Sequence, residues 1–94
     1  MPRRATGTKP KWTKAGYAVA RVRVHGRQES LRLPHCRTDA QAGDRAEQLA
    51  QLAQRMALAG TERADALEGL QRVARAPAGQ SLRQACARVE KLIG

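Results

Sequence analysis

Tyr17-Ala18-Val19-Ala20-Arg21-Val22-Arg23-Val24, with His25-Gly26-Arg27 behind it, is the stretch that decides the fold. Its strict alternation has the period of a β-strand with one buried face. Ala18, Ala20, Val22 and Val24 fall on one side, and Tyr17, Val19, Arg21 and Arg23 on the other. His25-Gly26-Arg27 reads as a turn, so the chain doubles back into a strand over Glu29 to Leu33. There Leu31 and Leu33 extend the apolar face and Arg32 joins the charged one. Pro34 has no N–H to give a ladder and closes the strand. Upstream, Lys11-Trp12-Thr13 reads as a short strand and Lys14-Ala15-Gly16 as a turn, which completes a three-stranded antiparallel meander.

So small a sheet cannot stand alone, and its apolar face needs a helix. Thr38-Asp39-Ala40-Gln41 is a capping box: Thr accepts from the backbone, Gln reaches back, and Asp39 suits the positive end of the helix dipole. Ala42, Ala46, Leu49, Leu52, Ala53 and Met56 then recur at helical spacing until Gly60 offers a stop. A second helix is expected from about residue 62 to 76, striped by Leu67, Leu70 and Ala74 and ended by Pro77-Ala78-Gly79. Ser81-Leu82-Arg83-Gln84 reads as another capping box, opening a third helix with Leu82, Ala85, Cys86, Val89 and Ile93 on one side. The expected class is α+β: a basic arm at 1–10, a sheet plus helix at 11–60, and a helical extension or linker at 61–94.

Charge is distributed as unevenly as pattern. Up to Arg37 seven arginines and three lysines face one acid, Glu29, a net +9 of the chain's total +10. A local surplus of that size is what a protein needs to hold a polyanion through its phosphates. Ninety-four residues with no Phe, one Trp and one Tyr leave little bulk to wall off a substrate pocket, which counts against an enzyme. No stretch approaches the roughly 20 apolar residues that cross a bilayer, so a soluble, cytoplasmic protein is expected. Cys36 and Cys86 lie too far apart for a paired metal knuckle and are expected as reduced thiols. His25 and His35 are expected as exposed loop residues, and neither metal nor cofactor is expected.

Arginine's planar fork suits the paired acceptors of guanine in the major groove, which a two- or three-stranded ribbon can enter. Arg21, Arg23 and Arg32 are therefore the candidate base readers. Lys9, Lys11, Lys14, Arg27 and Arg37 lie on the arm, turns and strand ends, as candidates for phosphate. The bland reading of the same arginines is a solvated sheet face. Trp12 and Tyr17 have two readings as well, stacking platforms for unpaired bases or core anchors, and for Trp12 the core is preferred. Leu82, Val89 and Ile93 either pack within the chain or dock on another protomer or a following domain.

Residues 17–24, the turn at 25–27, Leu31-Arg32-Leu33 and Thr38-Asp39-Ala40-Gln41-Ala42 together resemble the amino-terminal arm-type DNA-binding domain of tyrosine recombinases, the phage-type integrases. The resemblance covers about residues 7 to 60. It implies a sheet that enters the major groove of accessory sites, Arg21, Arg23 and Arg32 at the groove-facing positions, and a supporting helix that helps couple protomers. It also implies a bacterial or phage-encoded, nucleoid-associated protein serving DNA integration or excision. The family's Arg/Lys/His/Arg cluster and tyrosine nucleophile have no counterpart here, and Tyr17 lies in a strand of the wrong region. The chain alone is therefore not expected to cut DNA. Two rival functions stand beside duplex binding: an RNA or single-strand binder, and a small phage-type interaction factor or inhibitor that uses its helices.

Overall fold

The computed structural model describes residues 10–93 and has the expected α+β architecture. Strands β1 (Lys11–Trp12), β2 (Ala18–Val24) and β3 (Arg27–Leu33) form an antiparallel sheet in the order β1-β2-β3. Helices α1 (Asp39–Leu58), α2 (Arg63–Arg75) and α3 (Gln80–Ile93) follow. The inner face of the sheet packs on α1 and α2, and α3 lies against those two helices on the side away from the strands.

Two-residue alternation survives intact in β2, where Ala18, Ala20, Val22 and Val24 are buried and Arg21 and Arg23 exposed. The turn behind it is tighter than expected. His25 and Gly26 form it alone, both at positive φ (50° and 83°), the condition of a type I′ hairpin turn whose twist matches that of the strands. Arg27 is consequently not a turn residue: it opens β3, opposite Val24. The register then pairs Val22 with Glu29, Ala20 with Leu31 and Ala18 with Leu33, which stacks the apolar residues of both strands on one face.

Helix α1 starts as a cap predicts, with Thr38 Oγ1 accepting from the Gln41 N–H at 3.1 Å. Gln41 reaches back one residue further than in a standard capping box, its Oε1 accepting from Arg37 N–H at 2.8 Å. At the other end Gly60, at φ 77°, allows the chain to reverse. Thr61 N–H then bonds Met56 O and Gly60 N–H bonds Ala57 O, the two bonds of a Schellman motif. The whole expected stripe from Ala42 to Met56 is buried. Arg45 is buried with it, only 6% exposed, which the stripe did not foretell.

Helix α2 buries Ala66, Leu70, Val73 and Ala74 against α1 and β3, so the core runs unbroken from the sheet into residues 61–93. Arg45 explains how α2 ends. Its Nη1 donates to the carbonyls of Val73, Ala74 and Ala76 at 2.9, 3.3 and 2.8 Å. A cation thus meets the carbonyls at the C-terminus of the helix, where Val73 O has a long 3.4 Å bond from Ala76 N–H besides, at the negative end of the dipole. Helix α3 opens two residues earlier than the Ser81 box requires, at Gln80 instead of Leu82. Gly79 O accepts from Arg83 N–H at 3.1 Å, and Ser81 sits inside the first turn instead of capping it. Val89 of α3 is fully buried within the chain, while Leu82 and Ile93 pack partly buried against the same core.

Candidate nucleic-acid interface

Side chains directly opposite one another on antiparallel strands share a face. Lys11 pairs with Val19 and Val19 with Arg32, so these three form a row across the outer face. Arg21 with Ser30 and Arg23 with Gln28 make the next two rows. Strand spacing places the Cα atoms of Lys11 and Arg32 about 10 Å apart, and those of Arg21 and Arg23 about 7 Å apart along β2. Arg32 lies diagonal to Arg21, at about 7–8 Å.

Lys11, Arg21, Arg23 and Arg32 are all exposed, and no outer-face position of β1, β2 or β3 carries a carboxylate. Glu29 is the one acid among the first 37 residues, and parity puts it on the inner face opposite Val22. There it pairs with Arg63 of α2. The acid is thereby removed from the outer face and its charge matched, leaving an uninterrupted cationic surface. Neither Arg21 nor Arg23 has an ion-pair partner among the described residues. Arg32 is placed differently, its guanidinium over the Tyr17 ring at 5.8 Å from the centroid.

The other candidates scatter around this face. Lys14 is exposed in the β1–β2 turn, and Arg37 is exposed just ahead of α1. Arg27 is exposed at the far end of the hairpin but has the parity of the inner face, so it flanks the arginine rows instead of joining them. Lys9 lies outside the described residues.

Trp12 corrects an expectation. Its pairing with Ala18 gives it inner-face parity, yet it stays 40% exposed, because β1 is only two residues long and packs chiefly beside β2, with little of the helical layer over it. Its indole N–H donates to Asp39 in the first turn of α1, which ties the corner of the sheet to the helix. Its ring is thus on the side away from the arginines. His25 is also not a free loop residue. Half-buried, it donates from Nε2 to Thr61 O and joins the hairpin tip to the α1–α2 connection. His35 is exposed.

The cysteines are free thiols. Burial pushes the Cys36 thiol up from its ordinary value, and outweighs the Arg45 charge that pulls the other way. Burial does the same to Cys86, opposed by Arg45 and reinforced by Glu90. Both are therefore held as the poorly nucleophilic thiol. Among the described residues no group of three or more His, Cys, Asp and Glu side chains is placed to share a metal ion, and no helix is long and apolar enough to cross a membrane.

No family model matches the chain, and no curated protein or solved structure matches it.

Proposed function

We propose that this chain binds duplex DNA by laying the outer face of its sheet into the major groove, as the arm-type module of a mobile-element integrase. The observation that carries the reading is the carboxylate-free face bearing Lys11, Arg21, Arg23 and Arg32, with Glu29 turned inward onto Arg63. Three strands span about 10 Å of backbone, a fit to a groove about 12 Å wide. The strand rise of about 3.4 Å per residue equals the base-pair rise, so Arg21 and Arg23 meet base pairs two steps apart when β2 follows the groove. In this arrangement those two arginines read base edges, while Lys14, Arg27 and Arg37 contact phosphate at the margins. The module contributes recognition and no chemistry of its own.

The position of Trp12 favours a duplex over an unpaired strand. Stacking modules place aromatic rings among the cations that follow the backbone. Here Trp12 points away from the arginine rows, and Tyr17 is half-buried with Arg32 above it.

Fluorescence anisotropy with labelled duplex DNA, single-stranded DNA and RNA across a salt series tests this reading. Neutralising roughly five phosphates gives a log-log salt slope of about −4 to −5 for the duplex. Equal affinity for all three nucleic acids, or none for the duplex, would contradict it.

A further inference from the structure

At the free edge of the sheet, β3 and α2 enclose an open groove of about 240 Å³ lined by Ser30, Leu31, Arg32, Gln71, Ala74 and Arg75. Its polar side chains are two guanidiniums, a hydroxyl and an amide, with no carboxylate among them. Such a set offers mostly hydrogen-bond donors and excess positive charge, the chemistry that recognises an oxyanion.

Arg75 stands apart from the other arginines of α2. Arg63 pairs with Glu29, and Arg72 pairs with Glu68 at 3.2 Å, one turn back along the helix. Arg75 is exposed in the last turn and has no acidic partner among the described residues. The helix end does not absorb its charge either, because Arg45 already occupies the carbonyls of Val73, Ala74 and Ala76. That same capping removes the negative potential with which a helix C-terminus repels anions.

We propose that Arg32 and Arg75 clamp a single backbone phosphate of the bound duplex at the margin of β3. The assignment rests on the duplex-binding reading above and departs from the expectation drawn from the sequence for one residue: Arg32 positions the duplex instead of reading a base. In the free protein its guanidinium lies over Tyr17, in line with β2, so the clamp requires it to leave the ring and turn to the β3 edge, where Arg32 also lines the groove. A sheet that nearly fills the groove brings its edge strand against the sugar-phosphate backbone, so the β3–α2 groove meets phosphate when β2 meets bases.

The test is anisotropy of the intact protein on two unrelated duplexes over a salt series, with Arg75→Ala, Arg32→Ala, the double variant, and Arg72→Ala as a control for equal charge loss. Both single variants are expected to weaken the two duplexes by the same factor and to reduce the salt slope by about 0.9, one phosphate's worth. Because the arginines share one phosphate, the double variant is also expected to lose about 0.9, not about 1.8. Arg72→Ala is expected to leave the slope unchanged.

Equal effects of Arg75→Ala and Arg72→Ala, or sequence-selective loss in Arg32→Ala, would overturn the clamp while leaving duplex binding intact. Failure of the wild-type protein to prefer duplex would overturn the functional reading and the clamp with it. Inorganic phosphate, exchanged for chloride at constant ionic strength, is expected not to compete. Displacement of DNA by phosphate below ~1 mM would mark a free-anion site and overturn the assignment to the DNA backbone.

Discussion

Replacing Arg45 by Met keeps the long apolar stem of the side chain and deletes the cation that ends α2. The carbonyls of Ala74 and Ala76 then lose their donor inside the fold, and Val73 O is left with the long 3.4 Å bond from Ala76 N–H alone. All three bonds come from one nitrogen with two hydrogens, so they count as about two full bonds to a charged group, each contributing about 1.5 kcal/mol at the low end of its range. Loss of the charge from the negative end of the helix adds up to about 1 kcal/mol, and relief of the buried guanidinium's desolvation offsets part of the total. The expected destabilisation is therefore about 2–4 kcal/mol, which for a domain of this size lowers Tm by roughly 10–25 °C. Thermal unfolding followed by far-UV circular dichroism reads it directly. Amide hydrogen exchange should show the loosening concentrated at the end of α2 and the start of α3. A variant that melts within ~2 °C of wild type would refute the idea that this arginine holds the second helix in place.

Thr38→Ala removes the acceptor for Gln41 N–H and should cost about 1 kcal/mol in urea unfolding, with no change in m. The cysteines give stability a pH dependence with a definite sign. Both folded-state values are raised by burial above the ordinary 9.0, so their contribution is fully present below that value and declines as pH rises through it. Urea midpoints should fall above about pH 9 in the wild type and fall less in a Cys36→Ala, Cys86→Ala double variant; an identical fall in both would reject this cause. Arg21→Ala and Arg23→Ala should each cost about 1–3 kcal/mol on a preferred sequence and flatten discrimination among sequences. Lys14→Ala should instead weaken all duplexes alike and reduce the salt slope by about one.

The sheet was legible because β2 alternates without a break and Thr38-Asp39-Ala40-Gln41 marks the start of the covering helix. Both signals are local, and tertiary packing agrees with them. The misreadings occur where a neighbour distant in sequence decides. Arg45 falls three residues after Ala42 and four before Leu49, inside the apolar stripe, and only the end of α2 packed beside it gives its charge a partner. A cation at a stripe position was the available signal. Trp12 looked like a core residue by type, but two residues of β1 reach too little of the helical layer to cover it. Ser81 had the form of a cap, and the turn at Ala78-Gly79 started α3 before it.

Of the candidate interface, the alternation alone separated Arg21 and Arg23 from the core. The inward turn of Glu29 and its pairing with Arg63 needed the register, which the two-residue turn at His25-Gly26 fixes. Arg75 could not be found from sequence at all. Its relevance comes from lying beside Arg32 across the β3–α2 groove, 43 positions away in the chain.

The central claim is that the outer face of the sheet holds duplex DNA. Its most direct test is the affinity of an Arg21→Ala, Arg23→Ala, Arg32→Ala triple variant for duplex DNA, measured by anisotropy beside wild type, with thermal unfolding of both. All three side chains are exposed, so the variant should melt close to wild type, while duplex binding falls to the weak level that the remaining margin charges support. A triple variant that folds normally and binds duplex as tightly as wild type would contradict the account.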